Sequence, residues 1–275
     1  MLTKNVESLA PETRFICILA SPRTGSTLLF SLLWNCTGLN LKYELFHPKW
    51  AHSVTSLDRQ VLSSRVGNDL GTDETLCAWR TMHPGKTLDT LYESGGKKPI
   101  IFKIFPDHLS YEHLRDGIFS RDDVGYIFLR RRPIESYISE VKVRKFNAFH
   151  TIDTTSFRPE LKAGSFVKWA AKIQEWNDWL ESELAVTNRR CARLTYEKDI
   201  GLPDTYAALS KVVHAIGYAG LTCTLKDVGF VSSMKRQDQE PCYQNRISNW
   251  RQFASALRTN PDHARLLEWA ETNSG

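Results

Sequence analysis

The sequence predicts an α/β fold, a three-layer sandwich with a mostly parallel sheet. Three observations carry that expectation. Four short apolar runs, at residues 15–20, 99–106, 124–129 and 192–196, have strand length and barely alternate, as strands covered on both faces do. Helix-length segments separate them, so the order reads strand, helix, strand, helix. Finally, the first strand runs into a short Gly-containing turn that opens an apolar helix.

That first unit organises the chain. Phe15-Ile16-Cys17-Ile18-Leu19-Ala20 is the strand, Ser21-Pro22-Arg23-Thr24-Gly25-Ser26-Thr27 the turn, and the residues from Leu28 to Trp34 a buried helix. Backbone N–H groups at such a helix start favour an anion. Arg23 adds a cation, Thr24, Ser26 and Thr27 add hydroxyls, and Gly25 admits close backbone approach. The turn reads as a phosphate cradle; an ordinary βα turn with a polar tip is the plainer alternative. It is not a nucleotide triphosphatase loop, because no Gly precedes Gly25 at the right spacing and Ser26 stands where the Lys would be, and the dinucleotide fingerprint G-x-G-x-x-G is absent too.

The remaining elements follow in order. Residues 1–13 read as a loose arm. Gly38 caps the first helix, and residues 41–47 begin as a short strand-like run that carries Glu44. Glu44 falls near the carboxyl edge of the sheet, where open α/β folds bind ligands; in isolation a surface carboxylate is the default reading. Between 48 and 98 the pattern suggests a helix over 56–66, loops at 67–71 and 83–85, and a short helix over 87–93. Lys103 sits late in the second strand, where an ammonium meets an anion or snorkels to water. The third strand runs into Arg130-Arg131-Arg132-Pro133, with Pro133 opening a helix that carries Ser139. Arginine forks at a second strand–helix turn suit phosphate, against the alternative of a solvated basic cluster. Residues 146–164 read as a loop. The next segment, 165–184, has Phe166, Trp169, Ala170, Ile173, Trp176, Leu180 and Leu184 at helical spacing, which marks core packing. A helix is expected over 205–216, ended by Gly217, and a last helix around Asn249-Trp250-Arg251-Gln252-Phe253.

Composition bounds the function. With 275 residues, 41% hydrophobic and 24% charged, the chain suits one large globular domain spanning 1–275. A net charge of +5 fits an anionic small ligand better than a nucleic-acid track. The six cysteines form neither C-x-x-C nor a zinc pattern, so reduced thiols, a cytoplasmic location and no metal site are expected. No signal-peptide core or apolar span of about 18 residues is read, and no membrane partner is expected.

Several segments together resemble one family, the sulfotransferases that use 3′-phosphoadenosine 5′-phosphosulfate (PAPS). Within it the chain is similar to the bacterial branch with the nodulation-factor and trehalose sulfotransferases. The family's P-[KR]-[ST]-G-[ST]-T loop stands as Pro22-Arg23-Thr24-Gly25-Ser26-Thr27. Its 3′-phosphate motif, an Arg ending a strand and a Ser eight residues on, stands as Arg131 and Ser139. Its Tyr-Glu pair near the adenine stands as Tyr196-Glu197. Its C-terminal basic segment resembles Met234-Lys235-Arg236-Gln237 and Asn249-Trp250-Arg251. The ordered set spans 15–253.

The resemblance implies a P-loop-like sulfotransferase fold, PAPS as donor and 3′,5′-ADP as product. Donor contacts fall to Arg23, Thr24, Gly25, Ser26, Thr27, Arg131, Ser139, Tyr196, Lys235, Arg236, Trp250 and Arg251. Animal cytosolic members carry K-x-H on the central strand, whereas Lys103-Ile104-Phe105 has Phe there. The bacterial branch has a Glu after the first helix, which Tyr43-Glu44-Leu45-Phe46 resembles. Glu44 is therefore the expected base, with His47 and His108 behind it, while Arg23 and Lys103 stabilise charge on the leaving group. The intact R-K-G-x-x-G-D-W motif is absent. The transfer is expected to be in-line and metal-independent. Its acceptor is a sugar or polar natural product with a hydroxyl or amine, and 45–98 is the acceptor-specific insertion. A P-loop phosphotransferase and an inactive nucleotide-binding protein are the rivals. The oligomeric state is open, a homodimer being one option.

Overall fold

The computed structural model describes residues 12–51, 53–67, 69–146, 153–187, 189–226, 238 and 240–271. Its centre is a five-stranded sheet of β1 (Phe15–Leu19), β3 (Asn40–Leu41), β4 (Ile100–Ile104), β5 (Val124–Arg130) and β6 (Cys191–Thr195), in the order β3-β4-β1-β5-β6. Each neighbouring pair in it is parallel. Leu19 of β1 is level with Ile104 of β4 and with Phe128 of β5. The loops that leave these three strands therefore emerge side by side at one edge. β2 (Cys36–Thr37) and β7 (Thr224–Leu225) form a separate antiparallel pair, where the free thiols of Cys36 and Cys223 stand 3.2 Å apart.

The unalternating strands have the expected cause. Phe15, Cys17, Leu19, Phe102, Ile104, Tyr126 and Phe128 pack on one face of the sheet. Against them lie Trp176, Leu180 and Leu184 of α7 (Ala163–Thr187), Leu62 of α2 (Ser56–Val66), and Leu88 and Leu91 of α4 (Pro84–Ser94). Ile16, Ile18, Ile101, Ile127 and Leu129 pack on the other face. They meet Leu29, Leu32 and Leu33 of α1 (Ser26–Leu33), and Leu209, Val212 and Ile216 of α8 (Thr205–Tyr218). Successive residues serve opposite cores, so both parities must be apolar. A third cluster joins Ile134 and Ile138 of α6 (Pro133–Phe146) and Phe166 of α7 to Phe253 and Leu257 of α10 (Trp250–Arg258). The Trp176 side chain is buried in the first core, as its place in the apolar stripe implies.

Several elements depart from the expectation. α3 (Asp73–Met82) was not read from the sequence; Thr72 caps it by accepting from the Thr75 N–H. Pro84, placed in a loop, opens α4 instead, where its missing N–H costs nothing. α8 continues through Gly217 to Tyr218, and the left-handed turn comes at Gly220 (φ +103°). α10 is not the last helix, because α11 (Pro261–Glu271) follows it. Short helices α5 (Tyr111–Leu114) and α9 (Tyr243–Arg246) complete the set among the described residues. The expected arm falls mostly outside those residues, as do Phe149, His150 and the segment with Lys235 and Arg236.

Candidate active site

The turn after β1 is built for close approach. Arg23 adopts a left-handed backbone (φ +67°), and so does Gly25 (φ +91°). The Thr24 hydroxyl donates to the Ser21 carbonyl at 2.7 Å, and the Gly25 carbonyl accepts from the Leu29 N–H at 3.0 Å, which starts α1. A Cβ at residue 25 would lie 2.3 Å from Cδ2 of Tyr196, so the ring occupies the space glycine leaves. Tyr196 follows β6 and begins a wide helical turn over Tyr196–Ile200.

The turn after β5 meets the first one. Arg131 Nη1 donates to the Arg23 carbonyl at 3.0 Å, and its guanidinium lies 4.2 Å from the centre of the Tyr196 ring. Arg23 Nε donates to Ser139 Oγ at 3.0 Å. The structure thus brings together Arg23, Gly25, Arg131, Ser139 and Tyr196. Two carboxylates frame Arg131: Glu135, missed in the sequence, and Glu197 of the Tyr-Glu pair. Glu135 Oε2 stands 3.4 Å from Nη2, and Glu197 Oε1 lies 3.9 Å from Nε while accepting the Arg132 N–H at 3.1 Å. The i,i+4 spacing of Arg131 and Glu135 was the available signal. Burial lowers the Arg23 pKa, Glu140 opposes that shift, and nearby Arg131 adds to it.

On the other side of the cradle, Lys103 Nζ donates to Ser26 Oγ at 3.2 Å and lies 3.0 Å from Glu44 Oε1. The backbone explains how Glu44 reaches it. Tyr43 accepts the Lys103 N–H at 2.7 Å, extending the β3–β4 pairing, then turns left-handed (φ +39°) and carries Glu44 over the sheet edge. A left-handed aromatic residue is strained, and the Tyr43 ring stacks on Phe30 at 4.5 Å. Phe105 holds the position where cytosolic members have histidine, and its ring centre lies 4.9 Å from Lys103 Nζ.

Both histidine alternatives are close by. His108 Nε2 lies 3.8 Å from Glu44 Oε2, and the His47 and His108 rings are 5.6 Å apart. Burial pushes the His108 pKa down to about 4, so its imidazole is neutral near pH 7 and the contact with Glu44 is not an ion pair there. His108 Nδ1 is buried without a hydrogen-bond partner among the described residues. For Glu44, burial raises the pKa, but the Lys103 ammonium and the two imidazoles outweigh it and hold the carboxyl below its usual range. Burial lowers the Lys103 pKa against the pull of Glu44.

The loop from Glu44 to Trp50 is fixed from beneath. Arg80 of α3, fully buried, donates from Nη2 to the carbonyls of His47 and of Trp50. His47 Nδ1 accepts the N–H groups of Lys49 and Trp50, and its ring stacks on Trp50 at 4.3 Å. That places the neutral-ring proton of His47 on Nε2. A buried ion pair, Lys42 Nζ to Asp58 Oδ2 at 2.5 Å, ties the same stretch to α2.

Two further expected site residues sit on α10. Trp250 stacks on Tyr243 at 5.1 Å within the third cluster, and Arg251 is exposed on α10. Among the described residues neither makes a hydrogen bond or ion pair to Arg131. A cavity of about 300 Å³ opens beside the cradle, lined by Ser21, Thr24, Arg130, Trp169, Gln174 and His263 among others. No group of three or more His, Cys, Asp or Glu side chains converges as a metal site among the described residues, and no helix there is long and apolar enough to cross a membrane.

Known proteins share this architecture. The chain is similar to the sulfotransferase domain of the Synechococcus PCC 7002 olefin synthase, with 17% identity, 94% of this chain and 96% of that one covered, and a TM-score of 0.51. It also matches sulfotransferase STF1 from Mycobacterium tuberculosis H37Rv at 15% identity, over 79% of this chain and 70% of that one, with a TM-score of 0.42. A sulfotransferase from Alicyclobacillus acidocaldarius matches at 13% identity, over 94% and 96%, with a TM-score of 0.44. No protein-family model and no curated protein matches the chain. At 17% identity the likeness is one of fold: this chain, as its motifs lead one to expect, has the fold of the bacterial sulfotransferases.

Proposed function

We propose that the chain is a sulfotransferase that moves a sulfuryl group from PAPS to a hydroxyl or amine of a small polar acceptor. One observation carries the reading: a continuous line of contacts along the carboxyl edge of the sheet. It runs from Glu44 to Lys103, to Ser26 in the cradle, through Arg23 to Ser139 and Arg131, and on to Tyr196. A carboxylate thus stands at one end of an anion site and an arginine fork at the other.

In this reading the N–H groups of Thr24 to Thr27 and the hydroxyls of Ser26 and Thr27, with Arg23, hold the 5′-phosphosulfate, and Arg131 with Ser139 holds the 3′-phosphate. Tyr196 flanks the adenosine. Lys235, Arg236, Trp250 and Arg251 complete the donor contacts. Glu44, ionised at neutral pH, takes the acceptor's proton as its oxygen or nitrogen attacks sulfur in line. The S–O bond to the 5′-phosphate breaks, and that phosphate leaves with the electron pair on 3′,5′-ADP. Lys103 and Arg23 stabilise the charge that develops there. Neutralisation by these side chains makes the transfer independent of metal. The residues 1–275 form one such unit, acting in the cytoplasm, with 45–98 shaping the acceptor site.

Thermal unfolding with 3′,5′-ADP, beside ATP and NADP, tests the donor. A ligand at 100 times its Kd adds about 2.7 kcal/mol, several degrees in Tm for a chain of this size. A rise with 3′,5′-ADP alone is expected; a rise with ATP alone would overturn the reading in favour of a phosphotransferase.

A further inference from the structure

We infer that Arg246 is a positioning residue of the donor site, which keeps Arg131 available to a phosphate by engaging the carboxylate that would otherwise neutralise it. The inference rests on the donor reading above and goes past the contacts named there.

The geometry is that of a buried relay. Arg246 donates from Nη1 to Glu135 Oε1 at 2.5 Å and from Nη2 to Glu135 Oε2 at 3.0 Å, across 111 residues of sequence. Its Nε donates to Asp238 Oδ2 at 2.8 Å, and Lys142 Nζ donates to the same oxygen at 2.9 Å. Charges alternate along the line Lys142, Asp238, Arg246, Glu135, Arg131, Glu197. Arg246 and Lys142 are each 2% exposed, so neither reaches a ligand directly.

Glu135 is shared unequally. It meets Arg246 through two oxygens in fork geometry, whereas Arg131 has a single contact of 3.4 Å to Oε2. A fork-to-fork pair is the stronger interaction, so the carboxylate is committed to Arg246. Arg131 Nε, which faces Glu197 Oε1 at 3.9 Å, has no hydrogen-bond partner among the described residues. It is a guanidinium held in place by the Arg23 carbonyl and the Tyr196 ring, with donor capacity in reserve. Without Arg246, Glu135 would keep the hydrogen bond from the Tyr243 hydroxyl, a neutral partner, and Arg131 would be the cation left beside it. Pairing the two would use up the fork that the phosphate needs.

The test is titration of 3′,5′-ADP by calorimetry into wild type, Arg246→Met, Glu135→Gln and the double variant, with unfolding midpoints recorded for each. Arg246→Met is expected to weaken binding about tenfold or more. Adding Glu135→Gln removes the competing charge and restores the balance of the line, so the double variant is expected to bind within about threefold of wild type. A role confined to fold stability would move the unfolding midpoints and leave the affinity of the folded variants unchanged. Should Arg246→Met fail to fold, Arg246→Lys, which cannot form the fork, with and without Glu135→Gln, decides the matter in the same way. Binding unchanged by either Arg246 substitution, or a loss that Glu135→Gln does not reverse, overturns the inference. Wild type that binds no 3′,5′-ADP overturns the donor reading instead.

Discussion

Lys103 Nζ lies 3.0 Å from Glu44 Oε1 and 3.2 Å from Ser26 Oγ, so one ammonium ties the candidate base to the anion cradle. Lys103 is 3% exposed, while the Glu44 side chain is 35% exposed. The cation is fixed in the interior, and the carboxylate reaches the open edge. That division of exposure suits an ionised base: the ammonium holds the charge, and the open edge admits a substrate.

Glu44→Gln removes the proton acceptor and leaves the cradle intact. Binding of 3′,5′-ADP is expected to stay within about twofold, and turnover of PAPS with its acceptor to fall roughly 10²–10⁴-fold. Calorimetry and the rate of 3′,5′-ADP release separate the two. Full activity in this variant removes Glu44 from the role.

Arg131→Ala takes away the fork between the two turns. Loss of a charge-paired arginine costs about 2–5 kcal/mol of binding, so the Kd for 3′,5′-ADP is expected to rise at least tenfold. Tight binding in the variant would place the 3′-phosphate elsewhere.

Gly25→Ala meets two obstacles at once. The left-handed backbone costs an L-residue roughly 1–2 kcal/mol, and the new methyl would sit against the Tyr196 ring, over which Arg131 also lies. A lower Tm together with weaker 3′,5′-ADP binding is expected. A variant with wild-type affinity would show that Tyr196 can move freely.

His108 makes stability depend on pH. Its folded pKa of about 4 lies below the unfolded value near 6.5, so between those values the unfolded chain binds more protons. Stability from this group is complete above pH 6.5 and is lost as pH falls toward 4, by roughly 3 kcal/mol in all. Denaturant unfolding of wild type and His108→Gln across pH 4–7 measures it, the difference between them expected to shrink with acid. A constant difference would mean that His108 takes up its proton without leaving its buried place.

The sheet and the cradle were legible in the sequence because their signals are local. A strand covered on both faces is a continuous apolar run, and 15–20, 99–106, 124–129 and 192–196 each show it. The turn at Pro22 to Thr27 carries its hydroxyls, its cation and its glycine within six residues. Pro133 marked the start of α6, and the stripe from Phe166 to Leu184 marked α7. α3 was not legible, since its apolar positions are few and its cap, Thr72, lies in a stretch rich in polar residues.

By itself the sequence determined four of the five strands of the central sheet, that they would lie parallel, and the two turns, after β1 and β5, whose residues meet in the structure, while the β2–β7 pair was not read from it. Periodicity and turn chemistry act over a few residues, and a motif keeps its order along the chain. Only the tertiary structure decided which of Glu44, His47 and His108 meets Lys103, and which carboxylate holds Arg131. Those choices depend on a left-handed turn at Tyr43, on the burial of Arg80 beneath the 47–50 loop, and on an Arg246–Glu135 pair closed across 111 residues. Such pairings are set by the packing that removes water from both partners, a quantity that no local pattern encodes.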